Sequence, residues 1–164
     1  MELNLIHMYQ GNVELLSRLV EKHARFVIVG GTAVRFFLPE RQVDDLDLLI
    51  DPTPVNAELV IDAVNTGGSH RYPIDPCMLV KPNVQWPVKN YCYVDILTPK
   101  ESIDFEEVWA NSIEAKIANQ PSSIHVRIAG ISTLLTMLNS SDKPKHKEDI
   151  KLLSKLGDVP KRKA

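Results

Sequence analysis

Residues 43–51, which read VDDLDLLID, constrain the fold of this chain more than any other segment. Their aspartates alternate with leucine and isoleucine, which is the period of two expected of a half-buried strand. The alternation places Asp45 and Asp47 on one face of that strand, with apolar side chains behind them. Asp44 is expected on the opposite face.

Two carboxylates about 7 Å apart along a strand repel each other unless a cation lies between them. Hard oxygen ligands of this kind suit Mg²⁺, which is typically held by a few carboxylates together with substrate phosphates. An exposed acidic edge that deters aggregation would give the same sequence pattern. The pair Asp45 and Asp47 therefore leaves two interpretations open.

A pair of glycines, Gly30 and Gly31, follows the short apolar run at residues 26–29. The run predicts a buried strand. Residues 32–38 predict a helix that begins directly after the glycines and ends at Pro39. Backbone N–H groups at the start of a helix favour an anion such as a phosphate. Because a Gly-Gly turn before a helix is common, an ordinary turn is the alternative interpretation.

A third acidic residue, Asp95, interrupts the apolar run YCYVDIL at residues 91–97. The run predicts a core strand, in which an unpaired charge would be expensive to bury. Alone, such a residue would be structural and satisfied by a local partner. Together with Asp45 and Asp47 it completes the carboxylates that two-metal phosphoryl transfer needs. Asp95 would lie toward the acceptor-side metal and would help to remove the acceptor proton.

The remaining segments predict an α+β chain. Two strand-like runs, at residues 112–118 and 123–129, flank NQPS and predict a hairpin. Four further segments have helical periodicity. They are residues 12–23, 55–64, 132–138 and 146–156. Residues 69–88 contain several prolines and no clear period, so no element is predicted for them.

Length and composition favour one domain. The chain has 164 residues, of which 44% are hydrophobic and 24% charged, which is typical of a soluble globular protein. We therefore expect a single domain over residues 1–164, with an N-terminal helical segment at 1–25 and a flexible basic tail at 157–164. The net charge of −2 gives no general reason to expect nucleic-acid or membrane binding.

The two cysteines, Cys77 and Cys92, lack the spacing of a zinc site and are expected to be small buried residues in a reducing compartment. Residues 1–20 lack the basic and apolar regions of a secretory signal. No apolar stretch approaches the roughly 18 residues that span a bilayer. The sequence thus predicts a cytoplasmic location and no membrane partner.

The three motifs VIVGGTAV, DDLDLLID and VDIL, in this order, resemble the polymerase-beta-like nucleotidyltransferase superfamily. The pattern of that superfamily is a Gly-Gly or Gly-Ser turn, a D-x-D one strand later, and a third acidic residue on a further strand. The segments VDILTPKESIDFEEVW, ISTLLTML and HKEDIKLL are similar to bacterial stand-alone nucleotidyltransferases of abortive-infection and toxin–antitoxin systems. The resemblance extends over residues 26–156.

The resemblance implies a mixed β-sheet flanked by helices and a role for each matching residue. Asp45, Asp47 and Asp95 would be both the catalytic residues and the metal ligands. The nucleotide-binding residues would be Gly30, Gly31, Thr32, Arg35 and Lys147. For Arg35 the alternative is a surface arginine packed through its stem, and for Lys147 it is a solvated lysine stripe.

The activity implied by the resemblance is Mg²⁺-dependent transfer of a nucleoside monophosphate from an NTP, such as ATP, with Mn²⁺ as a possible substitute. The acceptor would be a tRNA, a protein or a small-molecule hydroxyl. The alternative is an antitoxin or regulatory binding module with weak or no catalysis, beside a helical toxin-like partner. This alternative is supported by the small size of the chain, the missing acceptor domain and the altered basic motif of the last helix. Relatives also often carry a lysine in the penultimate helix, near the position where this chain has Leu138 and Asn139, and the absence of that lysine bears on catalysis.

Relatives often carry a basic residue followed by Lys-Asp near the start of the last helix. In this chain the string is KHKED, in which Glu148 stands between Lys147 and Asp149. Asp149 shares one helical face with Leu152, Leu153 and Leu156. Its carboxylate is therefore expected to point toward the protein and to need a partner.

Overall fold

The computed structural model describes residues 3, 9–43, 45–67, 73–89, 91–118 and 123–157. Their strands form a six-stranded mixed sheet with the order β3-β4-β2-β1-β6-β5. The bounds are β1 Phe26–Val29, β2 Leu46–Ile50, β3 Gln85–Val88, β4 Val94–Leu97, β5 Ile113–Ala118 and β6 Ser123–Ile128.

The helices and one 3₁₀ turn connect and cover the strands. The bounds are α1 Gln10–Glu21, α2 Gly30–Phe37, α3 Pro54–Gly67, a 3₁₀ helix Pro76–Val80, α4 Phe105–Ala110, α5 Ile131–Asn139 and α6 Pro144–Gly157. Helix α1 packs against α3, whereas α2, α5 and α6 contact one another. The sheet with its helices confirms the predicted α+β class.

The centre of the sheet is made by β1, β2 and β4. Strand β2 runs antiparallel to β1 and parallel to β4. These strands are apolar because helices and neighbouring strands cover them, and Val27, Leu48 and Ile96 are fully buried. In β2 only Asp47 is not fully buried, so the strand is a central one and not half-exposed as its alternation suggested.

Most of the predicted elements are present, with shifted ends. The predicted strand at 43–51 is shortened to β2 because Asp45 forms a bend before it and Asp51 leaves it to pair with Arg25. The antiparallel pairing of β5 with β6 confirms the hairpin, although its turn at 119–122 lies outside the described residues. Asp44 and residues 158–164 also lie outside them, so the face of Asp44 and the basic tail stay predictions.

Three elements were not predicted. Residues 69–88, which had no assignment, contain the 3₁₀ helix and β3. Strand β3 holds Pro87, and proline is tolerated there because β3 is at the edge of the sheet. Helix α4 has only six residues and begins after Asp104, whose carboxylate accepts from the Glu106 N–H.

Cys92 is buried as predicted, but the prediction was wrong for Cys77, which is exposed at the 3₁₀ helix. Over the part of the chain that the structure describes, no helix is both long enough and apolar enough to cross a bilayer.

Candidate active site

Asp45, Asp47 and Asp95 are brought together by strand register. Asp47 on β2 is paired with Asp95 on β4, and the two strands are parallel. Asp45 lies one residue before β2, where the Leu46 N–H donates to the Tyr93 carbonyl at 3.0 Å. Alternation along the chain puts Asp45 and Asp47 on the same face. The three predicted carboxylates therefore lie on the same face of two adjacent strands.

The glycine turn lies against these carboxylates. Val29, the last residue of β1, is paired with Asp47. The next residue, Gly30, has φ +65, and a Cβ added to it would lie 2.2 Å from Oδ2 of Asp47. An L side chain would therefore be strained there and would also displace the carboxylate. Gly31 has more room, since the nearest atoms to an added Cβ belong to Val43 at 3.8 Å.

Lys89, which follows β3, reaches back to the acidic cluster. Its Nζ lies 3.1 Å from Oδ2 of Asp45 and 3.7 Å from Oδ2 of Asp95. The same ammonium lies 5.8 Å from the centre of the Tyr93 ring. The neighbouring carboxylates raise the pKa of Lys89 against the opposing effect of its partial burial, so the side chain is a cation.

The pKa of Asp47 is raised by its surroundings. Burial, together with the nearby charges of Asp95 and Asp45, raises its pKa to about 7, and a hydrogen bond with Asp95 adds to the shift. Lys89 opposes this shift but does not cancel it. More negative charge is thus assembled here than the one lysine balances, which is the condition under which a bound cation is favourable.

The cluster suits a hard divalent cation in its chemistry, because all three side chains are carboxylates and the charge of Asp47 is uncompensated. Two of the three carboxylates, those of Asp45 and Asp95, contact the Lys89 ammonium. Within the described ranges, no group of three or more His, Cys, Asp or Glu side chains is arranged to hold a metal ion.

A cleft of about 410 Å³ opens beside the carboxylates. Part of its lining is formed by the glycine turn and the ends of β2 and β4. The rest comes from α5, α6, the residue before α6 and the residues that precede β2, and we call this part the basic wall. Four of its side chains are basic, namely Arg41, Lys143, Lys145 and His146. The cleft is therefore lined by both acidic and basic side chains.

A buried ion pair joins Arg41 of the basic wall to Asp149 of α6. Nε of Arg41 donates to Oδ1 of Asp149 at 2.9 Å and to Oδ2 at 3.2 Å. The side chain of Asp149 is 3% exposed, which confirms the predicted inward orientation and the need for a partner. Burial and the charges of Lys143 and Lys145 lower the pKa of His146, so His146 contributes little positive charge at neutral pH.

Three predicted nucleotide-binding residues do not line this cleft. Thr32 is buried and its Oγ1 donates to the Asp45 carbonyl at 3.4 Å, so its hydroxyl supports the acidic segment. Arg35 is half-buried on α2, and Lys147 is exposed on α6. Gly30 and Gly31 do line the cleft, next to the carboxylates. Nucleotide contacts by all five residues remain predictions.

Several residues of the site were not predicted from the sequence, namely Lys89, Arg41, Lys143 and Lys145. Lys89 follows a segment without clear periodicity, and no local pattern marks a lysine that folds back over two strands. The basic run from residue 143 to 163 was visible in the sequence. Only the packing of α6 distinguishes the lysines that face the cleft from Lys147.

The order of these parts is the one that the sequence motifs predicted. A glycine turn follows β1, the D-x-D strand β2 is its neighbour, and the third aspartate lies on the next strand, β4.

No protein-family model matches the sequence, and no curated protein matches it. Two solved structures are similar in fold. One is an antigenic nucleotidyltransferase-like protein from Paracoccidioides brasiliensis, at 12% identity and a TM-score of 0.48, with 89% of this chain and 75% of that chain covered. The other is ANT(2″)-Ia in complex with adenylyl-2″-tobramycin, at 15% identity and a TM-score of 0.49, with 90% and 88% covered. At these values neither similarity identifies an activity for this chain.

Proposed function

We propose that this protein is a Mg²⁺-dependent nucleotidyltransferase that moves a nucleoside monophosphate from an NTP to an acceptor hydroxyl. One observation carries the proposal. Asp45, Asp47 and Asp95 meet on one face of the sheet, against a glycine turn and in a cleft that the basic wall also lines.

In this reaction the acceptor oxygen forms a bond to the α-phosphorus of the NTP, and the bond from that phosphorus to the bridging oxygen breaks. Pyrophosphate leaves, and the acceptor proton passes to a carboxylate of the cluster, for which Asp95 is our assignment. Mg²⁺, or Mn²⁺ in its place, would be held by Asp45, Asp47 and Asp95 and would supply charge stabilisation for the phosphates.

The rest of the cleft would bind the triphosphate. Backbone N–H groups at Gly30 and Gly31, at the start of α2, would donate to phosphate oxygens. Lys143 and Lys145, which line the same cleft, would supply positive charge. Thr32 would act through Asp45, while Arg35 and Lys147 would contribute only from outside the cleft. Such an enzyme would draw on the cytoplasmic NTP pool, in keeping with the predicted location.

The proposal is tested by incubating the purified protein with Mg²⁺, α-labelled NTPs and three acceptor pools, which are total tRNA, cell protein and small molecules. We expect label to be transferred into one pool and to be lost with Asp47→Asn or Asp95→Asn. Asp142→Asn, an exposed aspartate remote in sequence from the cluster, is the matched control. If no pool is labelled and the Asp47 and Asp95 variants bind NTP and Mn²⁺ as the wild type does, the proposal is wrong.

The same variants separate catalysis from the alternative of an antitoxin-like binding module. Such a module would capture a stoichiometric helical partner, and its cellular effect would survive Asp47→Asn. A nucleotidyltransferase would lose its cellular effect with that variant, whether or not a partner is present.

A further inference from the structure

An exposed pair of aromatic side chains, Tyr9 and Tyr93, lies beside the carboxylate cluster. The two ring centres are 4.3 Å apart, and the ring planes are inclined by 35°. Tyr9 is 54% exposed and Tyr93 is 41% exposed, although both rings are large and largely apolar. Two rings that contact each other at the surface offer a platform on which a further planar ring can stack.

The backbone of both tyrosines is fixed by the start of α1. The buried side chain of Asn12 accepts from the Tyr93 N–H at 2.7 Å and donates to the Tyr93 carbonyl at 3.3 Å. The Asn12 N–H donates to the Tyr9 carbonyl at 2.9 Å. A Cβ added to Gly11 would lie 1.9 Å from the Tyr91 carbonyl oxygen, so α1 begins directly against the segment before β4. The platform is therefore in place before a ligand arrives, which lowers the ordering cost of binding.

The tyrosine pair and the cleft lie on either side of the carboxylates. Tyr93 precedes Asp95 by two residues and shares its face of the strand. Its ring centre lies 5.8 Å from Nζ of Lys89, and the same Nζ lies 3.7 Å from Asp95. The cleft extends in the other direction along β4, because Asp95 and Leu97 line it, whereas Tyr93 and Tyr9 do not.

We propose that Tyr9 and Tyr93 bind the acceptor, by stacking on the base of a nucleoside whose ribose hydroxyl attacks the α-phosphorus. This inference rests on the proposed nucleotidyl transfer, in which the triphosphate occupies the cleft. In an in-line displacement the attacking oxygen and the leaving pyrophosphate lie on opposite sides of the phosphorus. The cleft of about 410 Å³ is in the size range of pockets that hold a whole small ligand, so the donor does not need the tyrosines.

The spacing along β4 favours a nucleoside as the acceptor. Two residues of a strand span about 7 Å, which separates the position of Tyr93 from that of Asp95. In a nucleoside the ribose lies between the base and the reactive hydroxyl, and it would bridge this gap. A protein tyrosine carries its hydroxyl on the ring itself, so a ring stacked on the platform would leave that hydroxyl short of Asp95. Because every base has a π-face, the platform would select nucleosides without selecting one base.

Binding is tested with a single-stranded oligoribonucleotide that carries 2-aminopurine at its 3′ end, since stacking on an aromatic ring quenches the fluorescence of this base. We expect quenching by the wild type, Tyr9→Phe and Tyr93→Phe, which all keep both rings. Tyr9→Leu and Tyr93→Leu should bind roughly 5- to 150-fold more weakly. Val55→Ala, which changes another exposed apolar side chain, is the matched control and should bind as the wild type does.

Kinetics then assign the bound base to the acceptor or to the donor. In the transfer assay with Mg²⁺ and a labelled NTP, Tyr9→Leu and Tyr93→Leu should raise the KM for the oligoribonucleotide. The KM for the NTP and kcat should stay near the wild-type values. A rise confined to the KM for the NTP would show that the platform binds the donor base and would overturn the inference. Transfer to a tyrosine-containing peptide but not to the oligoribonucleotide would also overturn it.

Failure of the inference is distinguishable from failure of the proposed function. If the wild type labels no acceptor, the proposed function fails, whereas unchanged oligoribonucleotide binding by both leucine variants refutes only the platform. Crosslinking of the wild type covers the case in which the leucine variants do not fold. An oligoribonucleotide with 4-thiouridine at its 3′ end should crosslink at Tyr9 or Tyr93, and crosslinks confined to the cleft residues would contradict us.

Discussion

Asp47 and Asp95 are register partners on the parallel strands β2 and β4. Burial of Asp47, followed by the nearby charges of Asp95 and Asp45, raises the pKa of Asp47 to about 7. The strand pairing that builds the site therefore stores unfavourable charge in the metal-free protein. A bound divalent ion would relieve it.

The metal-free protein should lose stability as the pH rises toward 7. Asp47 has an ordinary pKa of 3.8 and a raised one of about 7 in the fold, so the unfolded chain releases its proton first. Its contribution is complete below pH 3.8 and disappears as the pH passes 7. Thermal unfolding in EDTA at pH 5 and pH 8 measures this. The melting temperature of the wild type should fall between the two pH values. Asp47→Asn should make this fall in melting temperature smaller by a few degrees, at roughly 2–4 °C per kcal/mol.

The control for that comparison is Asp142→Asn, which removes an exposed carboxylate that does not belong to the cluster. Equal falls in melting temperature for the wild type and Asp47→Asn would show that Asp47 is ionised normally. The affinity for Mn²⁺ is a second measurement of the same titration. It should rise between pH 6 and 8 because Asp47 loses its proton in that range.

Gly30→Ala should damage the site, whereas Gly31→Ala should leave stability nearly unchanged. The first substitution forces a side chain into a positive φ and against the Asp47 carboxylate. The positive φ alone costs about 1–2 kcal/mol, and displacement of Asp47 should weaken Mn²⁺ binding. In Gly31→Ala the added Cβ would lie 3.8 Å from its nearest neighbours, the methyl groups of Val43. Denaturant unfolding and Mn²⁺ titration of both variants measure this, and equal stability of the two would contradict it.

Arg41→Met should be strongly destabilising, because it leaves the carboxylate of Asp149 buried without its partner. Breaking a buried pair in this way costs about 3–5 kcal/mol. The double variant Arg41→Met with Asp149→Leu should recover much of that loss, since no buried charge remains. Lys22→Met, which breaks an exposed pair with Asp62, should cost at most about 1 kcal/mol. Urea unfolding compares the four proteins, and a double variant no better than Arg41→Met would refute the explanation.

Lys143 and Lys145 should matter for nucleotide affinity more than Lys147. Both line the cleft, and Lys147 is exposed outside it. A charge-assisted hydrogen bond contributes about 1.5–3 kcal/mol, so the double change Lys143→Ala with Lys145→Ala should weaken binding of an NTP analogue at least tenfold. Lys147→Ala should bind as the wild type does. Calorimetry with a non-hydrolysable NTP decides, and a loss confined to Lys147→Ala would favour the sequence-based assignment.

Local pattern sufficed for the elements that carry the chemistry. The apolar run before Gly30 and the alternation around Asp47 each depend on residues within a few positions, so both strands were predicted. Strand β3 was not predicted, because a four-residue edge strand with a proline has no periodicity to detect. The inward face of Asp149 followed from helical spacing, but its partner Arg41, 108 residues away, did not.

The sequence by itself determined which residues are acidic, where the glycine turn stands and that Asp45 and Asp47 share a face, since these follow from chain chemistry and a period of two. Only the tertiary structure decided that Asp95 lies beside Asp47, because register between two strands is set by packing across the sheet. It also decided that Lys89 lies between Asp45 and Asp95, and that Lys145 faces the cleft while Lys147 does not. Those relations depend on how distant elements pack, which no local pattern encodes.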